Sequence, residues 1–467
     1  MKKKLLSALL SVAMVSALLV GCGSDATDTA STDSAAATDD AAATDDAAAE
    51  DTTTDTAAAS SDDAFYIYSW NTELQERLAF VYAEHPEWED RIVYVNVGDS
   101  GVYQEKIDQL LATPDAEEYP DLMATEAGYI MKYTNSDYTL DVADLGVTDA
   151  DMSEMYNYTI QIATDQRNGA VKGVSWQACP GSYMYRRSLA EKYLGVSEPE
   201  DVQEYVKDWD TFLDTARSIV KDSNGATVIL SSNDDVDNVF YSNKSTPWVD
   251  SDKNFVYDDS LDTMLDVHYA LEQENLTQKA DTWSEAWNAA AAGDEVFSYF
   301  GCTWFLHWTI KANCGGEAEG EGTYGDWAMC GGPANFYWGG TWLCAMQNCS
   351  DPEFAGQIML ELCCNTDLMT KMSEETLDYV NNKTAMQTLS DAGKGAYDFL
   401  GGQDFIAMFS PLAADVDVSW MSAYDQKVNE LFGVQVKMYQ NGEKDKDTAI
   451  ADFKSSVADA YPDLTVE

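Results

Sequence analysis

The chain is predicted to begin its folded part as an α/β structure, and three observations carry that expectation. Phe65-Tyr66-Ile67-Tyr68-Ser69-Trp70 is aromatic and β-branched, the composition of a buried strand. Leu74, Leu78, Val81 and Tyr82 then recur at the spacing of one helix face. Arg91 to Val97, Val102 to Leu111 and Asp121 to Thr125 continue the alternation as strand, helix, strand. Segments of this length join parallel strands through right-handed crossovers. Ligands of open α/β sheets sit beyond the carboxyl ends of the strands, which places Trp70-Asn71 and Thr125-Glu126 together at one edge. Asn71-Thr72 offers an N-cap for the first helix, and Gln75 stands where a capping box would need it.

With 467 residues, 45% of them hydrophobic and 12% aromatic, the chain can form two or three domains with substantial cores. The 82 acidic residues against 27 Lys and Arg give a net charge of -55. Phosphates would be repelled, so nucleic acid and anionic membrane surfaces are excluded as partners, and an anionic ligand is disfavoured. The same acidity would also serve to keep a secreted protein soluble.

Residues 1–21 read as a signal peptide. Lys2, Lys3 and Lys4 precede an apolar run from Leu5 to Val20 that is short for a membrane span. Leu19-Val20-Gly21-Cys22 resembles the bacterial lipobox, in which the cysteine is lipidated and becomes the mature N-terminus. An anchor to the outer face of the cell membrane through Cys22 is therefore expected, because several acyl chains hold where one is marginal. Residues 22–63 are the lipidated cysteine and an acidic tether. From Gly23 to Asp63 the chain is nearly all Ala, Asp, Thr and Ser, with 12 acidic residues and no basic one. Such a segment has no large side chains to bury, and as a coil it would span roughly 35 Å. The eight cysteines after Cys22 form no C-x-x-C pair, and 3 His are too few for a Cys/His zinc site. Several lie in apolar runs, such as Trp342-Leu343-Cys344, and fit free buried thiols at least as well as disulfides. No metal or cofactor is expected.

Further along, the order of segments resembles a known family, the extracellular solute-binding proteins of carbohydrate ABC importers, which include maltose-binding protein. Pro120-Asp121-Leu122 leading to Glu126 is similar to the family's third strand and ligand-side turn. Gly173-Val174-Ser175-Trp176-Gln177 followed by Tyr183 to Arg187 resembles the first crossing between lobes. Asp208-Trp209-Asp210-Thr211-Phe212 resembles a family helix start, and Trp338-Gly339-Gly340-Thr341-Trp342 the second crossing. Ala292 through Trp304 resembles a segment whose aromatic residue stacks on sugar. The resemblance covers about residues 64 to 460. It implies a two-lobe periplasmic-binding-protein-like α/β fold with an interlobe hinge and a ligand cleft. Lobe 1 would comprise 64–177 plus 339–383, and lobe 2 178–338 plus 384–467. It also implies a carbohydrate ligand, permease subunits of an ABC importer as partners, a monomeric state and no catalysis.

Sugars present apolar C–H faces and a rim of hydroxyls, so a site for them needs flat aromatic surfaces and oriented acceptors. Trp304 is the leading candidate, at the family's stacking position. Trp70 and Trp338 follow strands that should end at the cleft, and Trp176 lies at the first crossing beside Gln177. Glu126 can accept hydroxyl hydrogen bonds, and charged acceptors are the stronger ones. Asn71, Gln177 and Tyr241 complete the candidate set. Trp283, Trp287 and Trp308 are expected to pack inward, and His85, His268 and His307 to be structural. Two other classes stay open on the residues alone. A surface glycoside hydrolase needs only two carboxylates across a cleft, although G-x-S-x-G and H-E-x-x-H signatures are missing. A binding protein for a cation such as a polyamine would use the same aromatic and acidic groups.

Overall fold

Phe65–Ser69 forms the first strand, β1, and four of its five residues are buried, as befits a central strand of a parallel sheet covered on both faces. In this computed structural model residues 64–98 and 100–467 are described. The expected leader, the Cys22 anchor and the 23–63 tether lie outside the described residues.

β2 (Ile92–Asn96) and β3 (Leu122–Glu126) both pair in parallel with β1, so the predicted alternation holds in type and direction. Helices α1 (Glu73–Glu84) and α2 (Ser100–Leu111) provide the crossovers. α1 buries Leu74, Arg77, Leu78 and Val81, while Tyr82 is only partly covered. Its start differs from the expected capping box. Asn71 Oδ1 accepts from the Glu73 N–H at 3.1 Å, whereas Thr72 already has helical φ/ψ and makes no side-chain cap. Gln75 is left exposed, because a capping box needs an extended cap residue.

Besides a short antiparallel pair, Ala396–Tyr397 with Gln403–Asp404, the further strands are β4 (Val174–Ser175), β5 (Gly181–Arg186), β6 (Ser298–Cys302), β7 (Trp327–Cys330) and β8 (Thr341–Ala345). They build a five-stranded sheet of order β2-β1-β3-β8-β4 and a three-stranded sheet of order β6-β5-β7. β8 runs antiparallel to β3, with Thr341 opposite Glu126. The chain passes from the larger sheet to the smaller after Ser175 and returns before Thr341. Bridges between Pro180 and Tyr337 and between Gln177 and Val380 hold the crossing segments side by side.

Two hydrophobic clusters fill the fold. One runs from Phe65, Ile67, Leu122, Leu343 and Ile358 at the larger sheet to Met184, Trp327 and Met329 of the smaller one, and Ala385 to Met421 contribute residues to it. The other gathers Tyr183, Phe212, Trp248 and Phe453, with the Trp248 and Phe453 rings 5.3 Å apart, edge to face. The eight described cysteines are free and six are buried, as small hydrophobes. Among the described residues no helix is long and apolar enough to cross a membrane.

Candidate functional site

The carboxyl ends of β1 and β3 open onto a cavity of about 370 Å³, lined among others by Trp70, Asn71, Glu73, Glu126, Gln177, Trp304 and Trp308. Two further cavities, of about 210 and 510 Å³, adjoin it, and Glu126 walls all three. Trp338 and Tyr241 line both of the adjoining spaces. Strand topology thus brings together residues from 70 to 430 of the sequence at one place.

Glu126 terminates β3, and its Oε2 accepts the Gly128 N–H at 2.7 Å. Burial pushes its carboxyl up to about 7, against the pull of the Gly128 and Ala127 N–H groups. The close approach on its other side requires glycine. A Cβ on Gly339 would stand 3.2 Å from Glu126 Oε1 and 3.3 Å from Trp304 Nε1, and Gly339 has φ +68. Burial also raises Glu73, aided by nearby Asp378 and opposed by Arg77. Gln177 Nε2 donates to Glu73 Oε1 at 3.2 Å, which orients the amide on the cavity wall. Asp235, on the wall of the third cavity, is pushed up to about 7 by burial while accepting from Trp287 Nε1 at 2.8 Å.

The aromatic wall centres on Trp304. Its Nε1 donates to the Trp338 carbonyl at 3.1 Å, and the two ring centroids lie 5.2 Å apart at 65°. Trp283 lies 5.6 Å from Trp338 and 6.2 Å from Trp304, at 22° to the latter. Trp287, by contrast, is a core residue at 1% exposure.

Asn71 accepts the Glu73 N–H at the start of α1 and also lines the first cavity. Trp176 is placed elsewhere than expected: it is fully buried and lines none of the three cavities. The chain bends at Trp176, directly after β4, and the Gln177 N–H donates back to Ser175 Oγ at 3.2 Å. Gln177 takes the cavity side, and Trp176 is left to the core.

Trp308 and Trp283 depart in the other direction, with 54% and 51% of their surface exposed rather than packed inward. Trp308 lies in a π-helical turn, Leu306–Lys311, and shares the first cavity with Trp304. Their four-residue spacing was itself a signal, since positions i and i+4 of a helix share a face. Trp283 is not helical at all. It sits at φ +70, just before the helix Glu285–Ala289, and no periodicity reveals such a position. Glu73 and Glu76 also line the cavity without having been singled out, although their place beyond the end of β1 was readable.

Residues 87–397, well over half of the chain, match the family described as bacterial extracellular solute-binding protein. The chain belongs to this family. Solved structures agree on the fold of this binding protein. The galacto-N-biose-/lacto-N-biose I-binding protein of an ABC transporter from Bifidobacterium longum, in complex with lacto-N-biose, superposes with a TM-score of 0.66. It is 14% identical and covers 86% of this chain and 98% of its own. The ABC transporter associated binding protein of B. animalis subsp. lactis, in complex with β-1,6-galactobiose, gives 0.65 at 17% identity over 85% and 97%. The GacH receptor of Streptomyces glaucescens, solved unliganded and with acarbose, gives 0.64 at 15% over 86% and 99%. At these identities the likeness concerns the two-lobe fold of the binding protein. No curated protein matches its sequence significantly.

Proposed function

We propose that this binding protein captures a carbohydrate outside the cell and delivers it to the permease subunits of an ABC importer. The observation that carries the reading is the first cavity, where the indoles of Trp70, Trp304 and Trp308 share the wall with the half-buried carboxyl of Glu126. Indole faces match the C–H faces of a sugar, and a carboxylate flanked by aromatic rings accepts its hydroxyls with little competition from water. The sugar-bound structural relatives support the same class. Lobes comprising 64–177 with 339–383 and 178–338 with 384–467 would close on the ligand about the crossing segments. The protein acts as a monomer and catalyses nothing. A lipid on Cys22 holds it to the outer face of the membrane, and residues 23–63 lift it clear.

Melting the protein against neutral oligosaccharides and polyamines tests this. A ligand at 100 times its dissociation constant adds about 2.7 kcal/mol of stability. Stabilisation by a neutral sugar, with a smaller radius of gyration in scattering, is expected. Five carboxylates line the third cavity, Glu126, Asp234, Asp235, Asp237 and Glu430, which is why polyamines are the competing set. Stabilisation by polyamines alone would transfer the site to a cationic ligand. Release of reducing ends from an oligosaccharide would make the protein an enzyme.

A further inference from the structure

The geometry points to an oligosaccharide of three or more units as the ligand, lying across all three cavities with Trp283 and Trp308 as its outer platforms. This rests on the carbohydrate reading and goes beyond it by specifying length. The first support is continuity. The first and second cavities share Glu126 and Gly339, and the second and third share Glu126, Tyr241 and Trp338. A single sugar held at Glu126 would leave most of that space to water.

The second support is the placement of the indoles. Trp308 is 54% exposed and lines the first cavity. Trp304 and Trp338 form the middle of the wall. Trp283 lies against both of these rings and follows Thr282, which lines the third cavity. Large aromatic side chains are rarely left half exposed without a partner to cover them.

The third support is backbone strain. Trp283 occupies the left-handed region at φ +70, where a bulky residue is a steric outlier. Strain of this kind persists where surrounding structure enforces it, and it concentrates at ligand clamps. Here Trp287, at 5.0 Å, and Phe305, at 6.3 Å, back the Trp283 ring and hold it in place. A residue needed only for packing would gain by relaxing to an ordinary φ.

Calorimetric titration of the full chain tests the proposal with the monomer-to-tetramer series of α-1,4-glucans, β-1,4-glucans and β-1,4-xylans. In a series that binds, affinity should tighten by about tenfold or more from monomer to trimer, as covering a further aromatic platform implies. Trp283→Gly suits the positive φ and should still fold, yet reduce that step to about threefold or less. Trp308→Ala, at an exposed position, should do the same without disturbing the core, and it keeps the test open if Trp283→Gly melts early. A monomer that binds as tightly as its trimer overturns the inference and leaves the carbohydrate reading intact. So does an equal loss at every length in both variants. Failure of every length in all three series, together with no stabilisation by any neutral oligosaccharide in the melting screen, would overturn the carbohydrate reading itself.

Discussion

Trp304 Nε1 donates to the main-chain carbonyl of Trp338 at 3.1 Å. The bond ties the helical turn after β6 to the segment entering β8, and it commits the polar edge of the indole to protein. What Trp304 offers the first cavity is therefore its hydrocarbon surface, fixed in orientation before any ligand arrives. Such preorganisation reduces the entropy lost on binding.

Trp304→Ala is expected to weaken sugar binding by about 1–2 kcal/mol or more, since a buried aromatic anchor carries at least that much. Trp342→Ala is the control, because Trp342 is 1% exposed and bonded through Nε1 to the Thr159 carbonyl. That core substitution should cost about 3–5 kcal/mol of stability. Titration and denaturant unfolding of both variants separate the roles. If Trp304→Ala unfolds the protein as Trp342→Ala does, or leaves affinity untouched, Trp304 is not a binding residue.

The carboxyl of Glu126 should write a pH signature. Its ordinary value of 4.5 applies to the unfolded chain, and burial raises it to about 7 in the folded one. Between those values the folded state holds more of the proton, so stability falls as pH rises through that window and levels off above it. Glu126→Gln keeps the neutral form at every pH. Its melting temperature should match wild type near pH 4.5 and exceed it by a growing margin up to about pH 7. Hydroxyl donors favour the ionised form, so wild-type affinity should rise through the same upper range, and the variant should keep only the smaller rise that Glu73 and Asp235 contribute. A constant difference in melting temperature across pH would show that Glu126 titrates normally.

Arg77 and Asp378 form a two-pronged ion pair across 301 residues of sequence, Nε to Oδ2 at 2.5 Å and Nη2 to Oδ1 at 3.0 Å. Their side chains are 3% and 9% exposed. Arg77→Met should cost about 3–5 kcal/mol by denaturant unfolding, because it leaves Asp378 buried beside Glu73 without a cation. Adding Asp378→Leu should recover most of that loss. A single-variant cost below about 1 kcal/mol would mean that water reaches the carboxylate.

The anchor is tested by Cys22→Ser. Loss of the acylated thiol should move the protein from the membrane fraction to the soluble one, or leave its leader uncleaved. A chain starting at Ala64 should bind sugar as tightly as one starting at Gly23, within about tenfold, or 1.4 kcal/mol. Membrane attachment that survives Cys22→Ser, with no acyl label on the wild type, would remove the lipid from the account.

Local pattern and general topology determined a definite part of this protein. The alternation from Phe65 to Thr125 fixes three parallel strands, because periodicity is a property of neighbouring residues. The rule for carboxyl ends then brings Trp70, Asn71 and Glu126 to one cavity with no side-chain detail required. Tertiary structure decided what depends on distant partners. Pairing of β8 with β3 sets Thr341 opposite Glu126 and brings Gly339 against it. Which of Trp176 and Gln177 faces the cleft, and whether Trp283 and Trp308 are covered, follows from the elements packed over them. A sequence reports how apolar an indole is, whereas its exposure is set by neighbours far away along the chain, and that is where the walls of these cavities were decided.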